Sequence, residues 1–363
     1  MPAARWARAA LWTALGGSAC APPPEPVDMR PALATAAAGQ DADDPAVWVN
    51  PAEPARSLIL GTNKAPAPDG ALLVFGLDGR VRQTLAGLDR PNNVDVEYGL
   101  PTPGGPIDIA VVTERGKGRL RVFRISPEGL VDVSSGGGLL VFAGESAERG
   151  QPMGVALYRR SRDLSVFAIL SRKSGPRDGY LWQYELRDDG TGKIRADKVR
   201  ELGRFSGKEE IEAIAVDDQL GYVYYSDEGD GVHKWRADPE HPQAGVELAH
   251  FARDFSGDQE GIGIYARADG TGYLVLTEQL PGNSKYHVYP REGQPGRPHD
   301  HQRLKFVRGG ADSTDGIEVV SASLGPAFPH GLLAAMNSRG RNFLLFKWED
   351  LASFGPTRLK LAD

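Results

Sequence analysis

Cysteine, histidine, excess positive charge and long apolar segments are all scarce in this 363-residue sequence. The single cysteine, Cys20, excludes an intramolecular disulfide. The formal net charge of −6 argues against non-specific nucleic-acid binding, which needs a basic surface. Beyond the first 20 residues, no apolar run is long enough to span a membrane. The seven histidines are scattered, and His299 and His301, in a Gly- and Pro-rich stretch, are interpreted as part of a solvated loop.

Glycine and proline are abundant, with 45 and 27 residues, and they indicate many tight turns rather than long helices. Hydrophobic residues make up 40% of the chain and aromatic residues 8%, which is enough for a packed core. A chain of this length often forms two or three domains, but all-β folds can be this long as one unit. The composition therefore favours an all-β protein, and internal repeats decide the number of domains.

An export signal is predicted for residues 1–20, where Arg5 and Arg8 precede a short apolar run and small residues precede Cys20. The ending GSAC resembles a bacterial lipobox, so two outcomes are open: lipidation of Cys20, or ordinary cleavage beside it. Residues 21–40, rich in Pro and Ala, are interpreted as a linker. The protein is therefore expected in the periplasm, on the outer membrane as a lipoprotein, or outside the cell. Its only expected membrane attachment is a lipid anchor at Cys20.

Six segments of the chain follow one plan, in which an apolar strand ends in polar residues and a turn leads into a second apolar strand. The residues at the strand ends are 51 to 59 positions apart. They are Lys64, Arg115, Lys173, Glu228, Gln279 and Ser338. A repeat of this length with about four strands predicts a six-bladed β-propeller over residues 41–363. A terminal strand is expected to close the ring, and residues 30–38 and 356–361 are the candidate segments.

A second set of positions lies just before the first strand of each repeat, and five of its six members are acidic. The set is Asp44, Asp95, Met153, Glu212, Glu260 and Asp315. In a propeller the innermost strands line a central channel, so equivalent positions of six blades meet as a ring at one mouth. Because neighbouring antiparallel strands run in opposite directions, the first strand begins where the second ends. Both sets are therefore expected on one rim.

An acidic ring of this kind needs bound cations. The carboxylates expected in it are Asp44, Asp95, Glu212, Glu228, Asp258, Glu260 and Asp315. Their mutual repulsion would be severe unless protons or cations bound between them. Oxygen ligands without clustered histidine or available cysteine favour a hard ion, and a flexible set of carboxylates suits Ca²⁺ better than Zn²⁺. Lys64, Arg115 and Lys173 fall on the same rim, so the pattern predicts a phosphate site between basic side chains and bound calcium.

Read in order, several segments resemble the β-propeller phytase family. They are DADDPAVW at 41–48, TNK at 62–64, NNVD at 92–95, Arg115, Lys173, DQEG at 258–261 and STDGIEV at 313–319. The resemblance covers residues 41–350 and depends on the order and spacing of the segments together. It implies a phosphomonoesterase that binds several Ca²⁺ ions and releases phosphate from myo-inositol hexakisphosphate (phytate), taken as its calcium complex. The implied reaction is direct attack by water.

The resemblance also implies roles for individual residues. Phosphate oxygens would be bound by Lys64, Arg115 and Lys173. Calcium and the attacking water would be held by Glu212, Glu228, Asp258, Glu260 and Gln279. Neighbouring or structural calcium ions would be bound by Asp43, Asp44, Asp95 and Asp315. The catalytic set would then be Lys64, Arg115, Lys173, Glu212 and Glu228.

The sequence departs from the family pattern at four positions. Met153 stands where the family has a phosphate-contacting tyrosine, and Ser174 stands where it often has an acidic residue. In the last repeat, Asn337 and Arg339 replace expected carboxylates. A calcium site near these two residues is therefore expected to be weakened or lost.

Other chemistries fit the sequence less well. It lacks an RHGxRxP segment, a nucleotide-binding P-loop and a cysteine that could serve a Cys-x5-Arg phosphatase. Two alternatives from other classes remain: a calcium-binding propeller lactonase or esterase, and a non-catalytic, surface-anchored binding propeller. A lactonase would not need the three basic residues of the rim. The favoured hypothesis is a monomeric hydrolase of a small phosphate ester.

Overall fold

Six β-sheets contain nearly all the regular structure of the chain. A computed structural model describes residues 27–362, where strands dominate and a single α-helix, α1 (Trp348–Ser353), is found. Five of the sheets have four strands and one has five, and together they form the predicted six-bladed β-propeller. The predicted export signal, its Cys20 and the start of the predicted linker lie outside the described residues. None of the described helices has the length and apolar character needed to cross a bilayer.

Each sheet is one blade, with its first strand innermost. Strand β1 (Leu33–Ala34) lies in blade 6 and is described below. Blade 1 contains β2 (Ala42–Trp48), β3 (Leu58–Asn63), β4 (Gly70–Gly76) and β5 (Val81–Leu88). Blade 2 contains β6 (Pro91–Leu100), β7 (Ile107–Glu114), β8 (Arg119–Ser126), β9 (Gly129–Asp132) and β10 (Leu139–Leu140). Blade 3 contains β11 (Pro152–Arg159), β12 (Val166–Arg172), β13 (Asp178–Asp188) and β14 (Ile194–Arg204).

The remaining blades follow the same plan. Blade 4 contains β15 (Ile214–Asp217), β16 (Tyr222–Asp227), β17 (Gly231–Arg236) and β18 (Ala249–Phe251). Blade 5 contains β19 (Ile262–Ala266), β20 (Gly272–Glu278), β21 (Lys285–Pro290) and β22 (Lys305–Arg308). Blade 6 contains β23 (Ile317–Val320), β24 (Leu332–Asn337), β25 (Asn342–Lys347) and β1. Three short 3-10 helices occur within the described residues, at Pro54–Arg56, Arg115–Lys117 and Ser135–Gly137.

The first strand of the chain closes the ring. Strand β1 pairs antiparallel with β25, and Leu33 lies opposite Leu345. The flanking residue Ala32 donates its N–H to the Leu345 carbonyl at 2.8 Å. Of the two candidate closing segments, the N-terminal one therefore completes blade 6. Edge pairing of this kind removes an exposed strand edge from the last blade.

This closure corrects the predicted linker over its described part. Residues 27–40 belong to the propeller rather than to a spacer, since Met29 and Ala38 are buried and Leu33 is paired. The composition gave no sign of this role, because a two-residue strand is too short to show an alternating pattern. Small alanine side chains are also what a tightly packed closing segment needs.

The hydrophobic core consists of layers between neighbouring blades. Among the described residues, six buried clusters are found, and each is shared by two adjacent blades. In β3, Ile59 packs toward blade 6 and Leu60 toward blade 2, because successive side chains of a strand point to opposite faces. A central strand that is buried on both faces needs a continuous apolar run. This explains the unbroken hydrophobic segments of the sequence.

Candidate active site

The second strand of every blade ends at the same place relative to its first strand. In each blade the residue that follows the second strand donates its backbone N–H to a carbonyl just before the first strand, at 2.8 to 3.0 Å. The donors are Lys64, Arg115, Lys173, Glu228, Gln279 and Ser338. The acceptors are Asp41, Arg90, Gln151, Glu210, Asp258 and Asp312. These six pairs define one mouth of the channel, here called the rim.

The first strands contribute a second ring to the rim, at positions that differ in two blades from the predicted ones. Strand pairing aligns Pro45, Val94, Val155, Ile214, Ile262 and Ile317 with the six second strands. Two residues before them stand Asp43, Asn92, Met153, Glu212, Glu260 and Asp315. The predicted ring positions Asp44 and Asp95 are therefore wrong by one and three residues. Strands β2, β6 and β11 each begin with a register shift, and residue spacing alone does not show which residue of such an irregular start reaches the rim.

Asp44 and Asp95 lie further along the channel. Asp44 Oδ2 accepts a hydrogen bond from the Val94 N–H at 2.9 Å. Asp95 Oδ2 accepts one from the Leu157 N–H at 2.6 Å. Burial raises the pKa of Asp95 to about 7, and the neighbouring charge comes from Asp218 rather than from the rim. Asp95 therefore does not join the acidic group described next.

Five carboxylates meet on the rim. They are Asp43, Glu212, Glu228, Glu260 and Asp315, each of which is acted on by the charge of at least one other member. Asp43 is fully buried, and Glu212 and Glu228 are 7% and 6% exposed. Within the described part of the chain, Glu228 Oε1 is buried without a hydrogen-bond partner. The group thus presents carboxylate oxygens that the protein does not satisfy, which suits a bound cation.

Burial and mutual repulsion raise the pKa values of this acidic group. Burial, opposed by the charge of Lys64, raises the pKa of Asp43 to about 7. Burial and then the Asp43 charge raise the pKa of Glu212 to about 7. Burial followed by Glu212 raises the pKa of Glu228 to about 8, and burial raises that of Asp315 to about 7. A divalent cation would relieve the same repulsion that otherwise favours protonation.

Three basic residues occupy the equivalent positions in blades 1, 2 and 3. Lys64 forms an ion pair with Asp43, and its side chain is 20% exposed. Burial alone would lower the pKa of Lys64, but the charges of Asp43, Glu212 and Asp315 raise it above the usual value. Lys173, which is exposed, forms an ion pair with Glu210. Lys64, Arg115 and Lys173, here called the basic arc, therefore lie directly beside the acidic group.

Arg115, the third basic residue, meets Met153 where a tyrosine was expected. Its Nη1 lies 3.0 Å from Met153 Sδ. A thioether sulfur is a weak acceptor, so the guanidinium keeps its capacity to bind an anion. Met153 is itself 1% exposed, and its carbonyl accepts a hydrogen bond from Thr113 Oγ1 at 2.6 Å. The methionine thus fills space beneath the rim without adding a polar contact.

Blade 6 contributes Asp315 to the acidic group, but Asn337 and Arg339, rather than carboxylates, lie at the end of its second strand. Asn337 Oδ1 accepts a hydrogen bond from the Asp312 N–H at 3.0 Å, and its Nδ2 donates to Asn342 Oδ1 at 2.9 Å. Arg339 Nε lies 3.8 Å from Asp312 Oδ2. A guanidinium therefore stands beside the Asp312 carboxylate of this blade.

Two rim residues were missed by the sequence analysis. Glu210 pairs with Lys173, and its charge helps raise the pKa of Glu228. Asn92 donates a hydrogen bond from Nδ2 to Glu212 Oε1 at 2.7 Å. A spacing signal could have identified Glu210, because the same separation of two residues recurs in three blades. The pairs are Asp41 with Asp43, Glu210 with Glu212, and Asp258 with Glu260.

His301 is packed rather than solvated, which corrects the interpretation of its loop. It is 6% exposed, and its ring lies 4.7 Å from that of Phe251 in a stacked arrangement. Its Nδ1 lies 2.8 Å from the Pro290 carbonyl oxygen, and its Nε2 lies 3.1 Å from Lys234 Nζ. Both ring nitrogens are therefore used inside the protein. The Gly and Pro content of this loop does not reveal its aromatic contact with another element.

Comparison with known proteins identifies relatives over most of the chain. The family model described as Phytase matches residues 28–355. The 3-phytase of Bacillus subtilis (strain 168) is 30% identical over 331 residues, covering 87% of this chain and 82% of that protein.

Two solved structures resemble the fold at low identity. A calcium-binding protein, regucalcin, from Agrobacterium tumefaciens has a TM-score of 0.50 at 9% identity, covering 92% of this chain and 98% of that one. A periplasmic gluconolactonase of Pseudomonas aeruginosa has a TM-score of 0.46 at 15% identity, covering 70% and 68%. The likeness to regucalcin concerns the fold alone.

Proposed function

This chain belongs to the phytase family of phosphomonoesterases, and we propose that it is a calcium-dependent enzyme that releases phosphate from phytate by direct attack of water. The observation that carries the proposal is the division of charge around one rim. Lys64, Arg115 and Lys173 follow the second strands of blades 1 to 3. Glu228 and Gln279 hold the same position in blades 4 and 5, close to the buried carboxylates. A phosphate ester could contact both halves at once.

The residues of the acidic group fit Ca²⁺. Their donor atoms are carboxylate oxygens, which hard cations prefer, and the described rim offers neither histidine nor cysteine. Glu228 Oε1 is buried without a hydrogen-bond partner among the described residues, and several members have raised pKa values. These features support a site that several calcium ions complete, with Asp258 and Gln279 as further oxygen ligands. Asp44 and Asp95 are proposed to bind structural calcium deeper in the channel.

The basic arc is proposed to bind the phosphate group. Lys64 and Arg115 donate hydrogen bonds to its non-bridging oxygens, and Lys173 contributes positive charge from a more exposed position. Calcium held by Glu212, Glu228 and Glu260 would supply charge neutralisation for the phosphate and would favour deprotonation of the attacking water. Because phosphoryl transfer depends mainly on positioning and charge neutralisation, no covalent enzyme intermediate is needed.

The acidic group is proposed to orient the water. Glu228 Oε1 has no protein partner in the described chain and accepts a hydrogen bond from the water that faces the phosphorus. Asn92 holds Glu212 in place through its 2.7 Å hydrogen bond, so the carboxylate is oriented before substrate binds. The water oxygen forms the new bond to phosphorus as the bond to the ester oxygen breaks. The water proton finally protonates the released alkoxide.

Phytate suits the rim because it carries several phosphate groups on one ring. Three basic residues in consecutive blades can contact more than one of them, whereas a monophosphate would leave part of the arc empty. A lactone carries no such charge and would gain nothing from the basic arc. The Bacillus subtilis relative is a 3-phytase, which supports the same substrate.

Export is part of the proposal. The pattern of residues 1–20 supports secretion through a signal peptide, with a lipid anchor at Cys20 as one of its two outcomes. A secreted enzyme would meet calcium concentrations sufficient for weak carboxylate sites. The protein is proposed to act as a monomer.

Phosphate release from phytate tests the function. The purified protein is assayed with calcium in excess and again with a chelator of divalent cations, and a lactone is offered under the same conditions. We expect release that stops with the chelator and resumes when calcium is restored, with no turnover of the lactone. A folded, calcium-binding protein that releases no phosphate would refute the proposal.

A further inference from the structure

Two histidines stand side by side on blade 4, away from the acidic group of the rim. His233 in β17 and His250 in β18 are directly opposite each other in the strand pairing, so their side chains share one face of the sheet. Their rings are stacked, with centroids 4.1 Å apart and planes 13° apart. Tyr225 stacks on the other side of His233 at 4.8 Å. Both histidines are thus held on neighbouring strands of a regular sheet.

The two nitrogens of His233 have different surroundings. Nδ1 lies 3.2 Å from Glu247 Oε1, which suits donation of the Nδ1 proton to that carboxylate. The His233 side chain is 95% buried, and in the described part of the chain its Nε2 has no hydrogen-bond partner. The nearest carboxylate, Asp227, already accepts hydrogen bonds from Ser206 through both oxygens. An imidazole that donates one N–H to a carboxylate and leaves its other nitrogen free is the arrangement of a metal-binding histidine.

Asp230 lies beside His250, the second histidine of the pair, and the His250 Nε2 also lies 3.2 Å from the Asp230 carbonyl oxygen. It lies in the turn between β16 and β17, and its Oδ2 is 3.3 Å from His250 Nε2. One donor atom from each of Asp230, His233 and His250 lies within 4.8 Å of the other two. Ligands on one tetrahedral zinc ion are about 3.3 Å apart, given metal–ligand bonds of about 2.0 to 2.1 Å. Because a metal lies in the plane of each imidazole that binds it, the two rings must turn out of their stacked arrangement when the ion binds.

We propose that Asp230, His233 and His250 bind a divalent transition metal of the Zn²⁺ type, at a site separate from the calcium-binding rim. Two imidazole nitrogens with one carboxylate oxygen suit zinc and its neighbours, whereas calcium prefers oxygen ligands alone. The ion joins both outer strands of blade 4 to the turn that begins just after Glu228. Water completes its coordination on the open side, since Asp230 and His250 are only partly buried.

Two basic side chains form ion pairs with Asp230 when no metal is bound. Lys208 Nζ lies 2.7 Å from Asp230 Oδ1, and Arg253 Nη2 lies 3.8 Å from the same oxygen. Their side chains are 53% and 62% exposed, so both can move into solvent without losing buried contacts. They also contact Oδ1, which leaves Oδ2 for the metal. Binding therefore exchanges weak exposed ion pairs for coordination bonds.

Zinc binding by the intact protein tests the site. Protein freed of metals is dialysed against Zn²⁺ alone as the probe, in the presence of excess Ca²⁺ that saturates carboxylate sites, and bound zinc is quantified. The variants are His233→Gln and His250→Gln, and the matched control is His241→Gln, in the loop between β17 and β18. We expect one zinc per chain for the wild type and the control, with at least tenfold weaker binding by the two site variants. Equal affinity in all four proteins would overturn the site.

A further variant separates loss of the metal from loss of the fold. Glu247→Gln leaves every proposed ligand in place and removes the negative charge beside His233 Nδ1, together with an exposed 3.9 Å ion pair to Arg204, so zinc affinity is expected to fall about 10- to 100-fold. Thermal unfolding without zinc should be unchanged for this variant. If zinc affinity is unchanged in Glu247→Gln and the histidine variants bind zinc as tightly as the wild type, the wild type binds zinc only adventitiously at its surface. None of these measurements uses substrate, so the outcome is independent of the proposed hydrolysis.

Discussion

Among the three basic residues of the rim, Lys64 is the one that lies within the acidic group. It forms an ion pair with Asp43, and the charges of Glu212 and Asp315 also act on it. Such a lysine stays protonated and can bind a phosphate oxygen while its partners bind cations. The residue thus links the two halves of the rim.

Replacement of Lys64 tests this link. For Lys64→Ala we expect kcat/KM on phytate to fall about 100- to 1000-fold, the usual cost of removing one group that stabilises developing charge. The assay is phosphate release at saturating calcium. Lys360→Ala, at an exposed lysine far along the chain, is the control and should keep wild-type activity. Wild-type activity in folded Lys64→Ala would contradict the assigned role.

Glu228 carries the unpaired carboxylate oxygen of the rim. Glu228→Gln keeps the size of the side chain but removes the charge that attracts calcium, so calcium affinity and phosphate release should both fall at least tenfold. Calorimetric titration with calcium measures the first effect. Glu128→Gln, at an exposed position in blade 2, is the control. Unaltered calcium binding by Glu228→Gln would remove Glu228 from the cation site.

At the scale of strands, the ends of the second strands were predictable, whereas the starts of β2 and β6 were not. Lys64, Arg115 and Glu228 follow apolar runs, and a polar residue after such a run is visible in the sequence. Strands β2, β6 and β11 each begin with a register shift, and spacing alone placed Met153 in the ring correctly but not Asp44 and Asp95. Bulges depend on hydrogen bonds between strands, which a single sequence does not display.

A buried ion pair between Arg291 and Asp217 joins blades 5 and 4. Arg291, after β21, places its Nε and Nη2 each 2.5 Å from one oxygen of Asp217 in β15, and both side chains are 1% exposed. Removing one partner leaves the other charge buried without compensation. Arg291→Met is therefore expected to lower the free energy of unfolding by about 3 to 5 kcal/mol.

Urea denaturation measures this loss, and Arg297→Met provides the comparison. The Arg297 side chain is 67% exposed and contacts only Asp300 at 2.7 Å, so its replacement should change stability by less than about 0.5 kcal/mol. Equal stability of the Arg291→Met and wild-type proteins would mean that the blade 4 to blade 5 interface does not depend on this pair.

The whole propeller depends on its N-terminal strand for closure. A chain that begins at residue 37 lacks β1 and loses the backbone hydrogen bonds of Ala32 to Leu345 and of Thr35 to Phe343, together with that of Ala36 to Gly79. At about 1 kcal/mol each, their loss should cost about 3 kcal/mol before the exposure of buried apolar surface is counted. A chain that begins at residue 27 is the control. Equal melting temperatures for the two chains would contradict closure by β1.

Calcium and pH should act together on the stability of the whole molecule. Without metal, the carboxyls of Asp43, Glu212 and Glu228 have folded-state pKa values of about 7 to 8. Unfolded carboxyls titrate near about 4, so the folded state holds more protons and stability falls as pH rises from about 4 to 8. Calcium reverses this loss because it replaces the protons.

The gain in melting temperature on adding calcium should therefore grow from pH 5 to pH 8. Paired thermal scans with calcium and with chelator across that range measure it, and the difference between each pair cancels titrations elsewhere in the protein. A calcium effect that is the same at both ends of the range would contradict the raised pKa values of the acidic group.

The number of blades was predictable because six similar segments recur in the sequence, whereas contacts between distant segments were not. Ring closure by Leu33 and Ala34 joins opposite ends of the chain. His233 and His250 become neighbours through the pairing of β17 with β18. Glu210 reaches Lys173 across a blade boundary. The first two contacts depend on strand pairing within a blade and the third on the packing of two blades, and no local sequence pattern predicts any of them.

In the proposed mechanism, the acidic half of the rim binds calcium and the basic half binds phosphate. A crystal structure of the protein with calcium and inorganic phosphate tests this most directly, with calcium identified by anomalous scattering. We predict calcium at about 2.3 to 2.6 Å from oxygens of Glu212, Glu228 and Glu260, and phosphate within hydrogen-bond distance of Lys64 and Arg115. An empty rim in crystals grown at saturating calcium and phosphate would contradict the central claim.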